Sequence, residues 1–526
     1  MTLSRRALIV GGCAATALTV LAGCVERPRT VVDVRDFGAA GDGIADDSAA
    51  IQNAAAALRP GGTLRFPTGT YRFAQRWPRN GAAVVIAGLA DITVEFGSGA
   101  ELLMDNLHPV KRTGSSHGLL IRGPASQIRL QGVNIRWADG AERSLGDGIR
   151  VEGYPDFDGD PPRNWAGDRT PVTKVSLIDC TVRSSPQTGV VMSGVSDIRV
   201  AGLRVADSGA DGLHFNACRA GSVDGFSAVN TGDDGLALVT YFAPEPTFDR
   251  TARTFSYPDL TDWSNADFDV TGVNVFGCRA NGVRLAGANR VNVTGLDVVG
   301  VEAGSAFLVD SAQPGADVGW NYVASRGIRL DDATATDCDM GIHLLARPAA
   351  PGDPRFTDFD VHVGDAKIDD CTTWAVRAES LTDTRVRGLR IDNCSVTADS
   401  TTGGNGGVGV GDADAITFGT VAIRHAEPVT VFTADDASGL TVDRLGIAIT
   451  RRDRPQTAKA VVDAENCDGV IDEVSIGWAA ADAAWTPVRL SAPDVCAGGA
   501  GEAPLAIRNL TVTPPVERPS EVVCVR

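Results

Sequence analysis

The chain has 526 residues and a formal charge of −18, from 48 Lys+Arg against 66 Asp+Glu; 44 of the basic residues are Arg and only 4 are Lys. With no basic run, this balance argues against nucleic acid as a partner, and the overall field opposes an acidic polysaccharide. The 11 Cys include no CxxC pair and no His/Cys cluster, so no metal centre is expected.

Ser4-Arg5-Arg6 precedes an apolar run from Ala7 to Leu21 that ends in Leu21-Ala22-Gly23-Cys24. At about 15 residues the run is short for a membrane span. A twin arginine, a short apolar core and small residues before a cysteine resemble a twin-arginine export signal with a lipobox. The resemblance implies that residues 1–23 are cleaved, that Cys24 is lipidated, and that the protein is exported and held on the outer face of a bacterial cell membrane; an uncleaved anchor is the alternative. Export permits disulfides. Cys278, Cys338 and Cys371 fall where Ser185, Ser208 and Thr231 sit in other repeats, which predicts buried thiols. Cys496 and Cys524 are the pair most suited to bridge.

From Val31 the sequence predicts a cap over residues 31–75. Asp47 or Ser48 is placed to cap a helix whose Ile51, Ala54, Ala55 and Leu58 share a face, and Pro60-Gly61-Gly62 stops it. Such a helix closes the end of a solenoid, which otherwise exposes strand edges. Asp36-Phe37-Gly38-Ala39, Gly41-Asp42-Gly43, Asp46-Asp47, Ala50-Ile51-Gln52 and the GGTLRFPTGTY segment resemble the N-terminal cap of the pectate-lyase-like superfamily, which implies an all-β, right-handed parallel β-helix.

After the cap, one short strand recurs. It follows Gly118, Gly148, Gly189, Gly212, Gly235 and Gly282, then Ser305, Gly341, Trp374, Gly407 and Pro428, with less regular copies near Ala460 and Pro487. The intervals from Gly148 to Gly282 are 41, 23, 23 and 47 residues, a 23-residue period with insertions. A fixed period of this size means stacked coils. Residues 31–526 are therefore read as a single β-helix domain, acting as a monomer.

Equivalent positions form a ladder: Asp147, Thr188, Asp211, Asp234, Asn281, with Asp233 one residue out of register. Carboxylates stacked a coil apart raise each other's pKa, which a merely structural ladder would not keep. Asp-Gly is also ordinary turn chemistry, the alternative for Asp147-Gly148 above all. Insertions at Tyr154–Pro171, Tyr241–Ser264 and around Gln313 to Arg326 leave the helix beside this ladder, bringing Trp165, Tyr241, Phe242, Trp263, Trp320 and Tyr322. Aromatic faces suit sugar rings, and loops on one edge are where binding groups collect.

Close carboxylates on a partly desolvated wall split their pKa values and supply the acid and the base of glycosidic cleavage. Asp211 followed by Gly232-Asp233-Asp234 is similar to the polygalacturonase family of glycoside hydrolases, although Ala280-Asn281-Gly282 stands where that family has Gly-His-Gly. ADGLHF, NTGDDGLAL and ANGVRLAGANRVNV resemble segments of the mycodextranase/α-1,3-glucanase family. These resemblances imply a glycoside hydrolase that cleaves a polysaccharide, more neutral than uronic, with inversion. Asp233 would be the general acid, and Asp211 and Asp234 would hold the water. Asp147, His214, Tyr241, Trp263, Arg279, Asn281 and Arg284 are the expected substrate contacts, with no cofactor. A lyase or epimerase on a uronate polymer is the alternative, with Ca²⁺ held by Asp147, Asp211, Asp233 and Asp234. A glycan-binding lipoprotein without turnover is the third reading.

Overall fold

The computed structural model describes residues 30–154, 170–241, 264–313, 321–347, 353–455, 458–491 and 505–523, and the backbone of a short hairpin pairing Phe248–Asp249 with Thr254–Phe255. The export signal with Cys24, most of the three insertions with Trp263, and the Cys496–Cys524 pair lie outside the described residues.

Each recurring segment sends alternate residues, all of them apolar, into the coil interior, which makes a short strand with that face buried. The strands that carry the ladder are Ile149–Glu152 (β1), Val190–Ser193 (β2), Leu213–Asn216 (β3), Leu236–Val239 (β4), Val283–Ala286 (β5), Ser305–Ala312 (β6) and Met340–Arg347 (β7). Each pairs in parallel with the next, so that Ile149, Val190, Leu213, Leu236, Val283, Phe307 and Ile342 stack in register. All seven are buried. Removing each from water contributes about 1.5–3 kcal/mol, which holds the coils at a spacing of about 4.8 Å. This face runs from Ala82–Ala87 to Ser520–Val523.

Two further faces complete each coil. Val195–Ala201 and Arg219–Asp224 belong to the second, Arg204–Ala206 and Ser227–Val229 to the third. From Ala266 onward the two merge into single bent strands, Ala266–Phe276, Asn289–Val299 and Arg326–Thr336. The result is a right-handed parallel β-helix. Corners turn through left-handed backbone: Asp197, Ala220, Asp267 and Arg290 form one line at φ 53 to 63°, and Gly202, Gly225, Gly272 and Gly295 another at φ 63 to 68°.

The predicted cap helix spans Ser48–Ala57 (α1) and buries Ala50, Ile51, Ala54 and Ala55. Neither proposed residue caps it with a side chain in the expected way. Asp47 occupies the cap position, but its carboxylate accepts from the Ala40 and Gly41 N–H groups; Asp46 accepts from the Ser48 N–H (3.1 Å). The strand expected at Pro428 begins instead at Phe432, since Pro428 has no N–H for the ladder and Val429 N–H turns back to Glu427 (2.9 Å). Cys180, Cys218, Cys278, Cys338, Cys371, Cys394 and Cys467 are buried and unbridged. No helix among the described residues is long and apolar enough to cross a membrane.

Candidate active site

The recurring glycine after each ladder position has a packing cause. A Cβ on Gly148, Gly189, Gly212, Gly235 or Gly282 would stand 2.5–2.6 Å from a carbonyl oxygen of the next coil. None of these five glycines has a left-handed φ, so close approach rather than turn conformation selects them.

The ladder residues before them bind coil to coil. Asp147 Oδ1 accepts from Thr188 N–H (3.1 Å), Asp211 Oδ1 from Asp234 N–H (3.1 Å), Asp234 Oδ1 from Asn281 N–H (3.1 Å), and Asn281 Oδ1 from Ser305 N–H (3.0 Å). One oxygen of each carboxylate is thus spent on the stack, and the other faces outward. Asp211 Oδ2 lies 2.6 Å from His214 Nδ1. Asn281 Nδ2 donates a second bond to Asp234 Oδ1 (2.7 Å). Asp233, out of register, points toward the turn side, where Arg143 donates to its Oδ2 (2.9 Å). One oxygen from each of Asp211, Asp233 and Asp234 still lies within 4.8 Å of the others.

These three acids line a cavity of about 290 Å³. Asp147, Arg150 and Thr188 form one end, Tyr241, Arg284 and Tyr322 the other, and Arg143 and Gln187 the turn-side rim. Tyr241 packs at a tilt between His214 (centroids 5.9 Å) and Tyr322 (6.0 Å).

The acids differ in setting. Burial pushes the Asp234 carboxyl up to about 7, with the Arg284 charge opposing and the Asp211 and Asp233 charges adding. Burial and then the Asp211 charge raise Asp233 as well, against Arg143. Asp147 goes the other way: burial disfavours its charge, but His117 and Arg150 outweigh burial and hold it well below the usual carboxylate range. Arg150 reaches Asp147 Oδ2 at 2.9 Å and Glu152 Oε1 at 2.8 Å. Asp147 is therefore an ion-pair anchor at the end of the cavity, chemically unlike the triad.

Of the other predicted contacts, His214, Tyr241 and Arg284 line the cavity, and Trp263 lies outside the described residues. Two others do not line the cavity. Arg279 is exposed outside the cavity, because it sits in the turn two residues before the ladder position. Asn281 is buried and its amide serves Asp234 and Ser305, so it supports an acid rather than facing the cavity. Arg143, Arg150 and Asp310 were not singled out from the sequence. Arg150 had a signal, as an outward position of an alternating strand; Arg143 is 90 residues from Asp233 in the chain and had none.

A Ca²⁺ cage does not fit the triad well. Calcium takes about 6–8 oxygens, preferably from ionised carboxylates. Here Asp211 and Asp234 each spend an oxygen on backbone N–H groups, which leaves one outward oxygen from each of the three acids, fewer than such a cage needs.

Residues 31–86 match the family model described as rhamnogalacturonase A/epimerase, pectate lyase-like, in agreement with the resemblance of the cap. No curated protein matches the chain. Among solved structures the chain is similar to the catalytic unit of a GH87 α-1,3-glucanase from Streptomyces thermodiastaticus, at 15% identity and TM-score 0.45, covering 94% of this chain and 69% of that one. It is also similar to the A-module of a mannuronan C-5 epimerase from Azotobacter vinelandii, at 14% identity and TM-score 0.40, covering 93% and 99%. A family 28 exopolygalacturonase from Yersinia enterocolitica follows at 12% identity and TM-score 0.33, covering 93% and 79%.

Proposed function

We propose that the chain is a glycoside hydrolase acting on a neutral polysaccharide. The observation that carries this reading is the convergence of Asp211, Asp233 and Asp234 within 4.8 Å in a cavity of about 290 Å³. Asp233 is the general acid: its side chain is 37% exposed, against 14% for Asp211 and 4% for Asp234, so it alone reaches a leaving oxygen readily. The same burial and like charge that raise it keep it protonated longer than a free carboxyl. Asp211 and Asp234 hold a water between their outward oxygens, and Asp234 takes its proton once its own carboxyl is ionised, above about pH 7. The three titrate as one unit rather than as separate groups.

A neutral polymer is favoured because the cations of the cavity are already paired. Arg143 is bound to Asp233, Arg150 to Asp147 and Glu152, and Arg284 to Asp310. A uronate would meet the field of the triad instead. The oxygen separations are shorter than the roughly 6.5–9.5 Å between the carboxyls of inverting pairs. Inversion here requires the water to sit beside Asp233, cradled by Asp211 and Asp234, and proton NMR of the first product tests this. Net retention would instead make one of these two the nucleophile.

One observation favours a second reading, elimination or epimerisation of a uronate. The 2.6 Å pairing of Asp211 with His214, next to Tyr241, resembles an oriented base. Incubation with neutral and acidic glycans separates the readings. New reducing ends without absorbance at about 235 nm support hydrolysis; an unsaturated product supports elimination, and a uronate inverted at C5 with the chain uncut supports epimerisation; tight binding with no product supports none of them. Export and lipid anchoring through Cys24 would place this activity on the cell surface, which mass spectrometry of the mature N-terminus checks.

A further inference from the structure

Asp310 lies in β6, two coils past Asp234, with a fully buried carboxylate. Arg284 of β5 grips it with two bonds, Nε to Oδ1 (3.0 Å) and a terminal nitrogen to Oδ2 (2.8 Å). Arg347 of β7 donates to Oδ2 from the far side (3.2 Å). The remaining nitrogen of Arg284 stops 4.0 Å from Asp234 Oδ2. Tyr322 packs against the guanidinium at 5.0 Å, and two backbone bonds to Ala312 (2.9 Å each), two residues past Asp310, fix the tyrosine there.

We propose that Asp310 is a positioning residue that holds Arg284 off Asp234, so that Asp234 stays available to take the proton of water. The inference rests on the hydrolase reading for its consequence, not for its geometry. An unrestrained guanidinium this close to a carboxylate closes to a charge-assisted bond of about 2.8 Å. Arg284 does not close, because the brace from Asp310 fixes the edge of its fork. The groups facing Asp234 are Asp211 and His214 from the coil before, Asp233 from its own turn, Asn281 and Arg284 from the coil after, and Tyr241 and Tyr322 from the loop side. Arg143 is occupied by Asp233. Arg284 is thus the cation in reach of Asp234, and Asp310 decides where it stands.

The test is Asp310→Asn in the full-length chain. The crystal structure of the variant should show the Arg284–Asp234 separation falling from 4.0 Å to about 2.8 Å. Turnover at pH 8 and above, where Asp234 is ionised with or without the new pair, should fall at least about tenfold with KM within about twofold, and the acid limb of the pH profile should move to lower pH, as a newly paired carboxylate requires. An unmoved Arg284 with a wild-type pH profile would overturn the proposal. Two partly buried arginines deprived of their buried carboxylate can prevent folding. In that case Arg284→Gln and Arg284→Gln/Asp310→Asn carry the test: equal kcat and equal pH limbs support action through Arg284, and a further loss in the double variant overturns it. Should the wild-type chain hydrolyse nothing, the hydrolase reading fails while the Arg284 distance still reports on the brace.

Discussion

Asp234→Asn should abolish turnover and yet stabilise the protein above neutral pH. The Asp234 carboxyl is buried, and burial raises its pKa from 3.8 to about 7. Below about pH 4 the group is protonated in folded and unfolded chains alike, so it contributes no difference. Between about pH 4 and 7 the unfolded chain has lost the proton that the folded chain retains, so stability falls as pH rises. Above about 7 the whole cost is in place: three pKa units at about 1.36 kcal/mol each, or roughly 4 kcal/mol. The asparagine carries no such cost, and its oxygen still accepts from Asn281, although it gives up the attraction of Arg284 at 4.0 Å. At about 2.1 cal/mol/K per residue, a chain of 526 residues has an unfolding entropy near 1 kcal/mol/K. The gain is therefore worth about 4 °C in Tm. Thermal melts followed by far-UV circular dichroism from pH 4 to 9 should coincide at the acid end and separate by that amount at pH 8. A variant that melts at or below the wild type throughout, or a gap that does not widen with pH, would refute the account.

Asp211→Asn and Asp233→Asn should keep the wild-type melt and lose turnover by about 10²–10⁴-fold in a reducing-sugar assay. Asp147→Ala strips a buried partner from Arg150 (2.9 Å) and should cost about 3–5 kcal/mol, read as a lowered Tm. In Gly235→Ala the new Cβ meets the Gly282 carbonyl oxygen at 2.6 Å and a Val275 methyl at 2.7 Å, which should destabilise by about 1–3 kcal/mol in denaturant titration. Burial pushes the Cys180, Cys218 and Cys278 thiols up to about 12, so a thiol reagent at pH 8 should label them only as the protein unfolds.

The ladder was legible because its signal is periodic. Asp211, Asp234 and Asn281 recur in one frame, and the parallel register sets them on consecutive coils. The same frame made Asp233 point elsewhere, toward Arg143. What the frame does not carry is the use made of each side chain. Asn281 and Asp147 occupy ladder positions as Asp234 does, but one is spent on a neighbouring carboxylate and the other on His117 and Arg150. Asp310 lies among outward positions of β6, three residues past the stacked Phe307, and nothing in the alternation of that strand distinguishes it from Leu308. Its partners, Arg284 and Arg347, come from the coils on either side. Such ties depend on side-chain reach between coils, which a count of spacings does not measure.

The shared oxygens of the ladder constrain how this site can be lost. Asp211 and Asp234 each give one oxygen to the next coil's N–H and one to the cavity, so the fold demands an acceptor there even when chemistry does not. Asn281 already fills such a place with an amide, accepting from Ser305. A descendant that abandoned catalysis would therefore drift first to asparagine at these two places, leaving an inert copy that differs from a working one by a single pair of atoms.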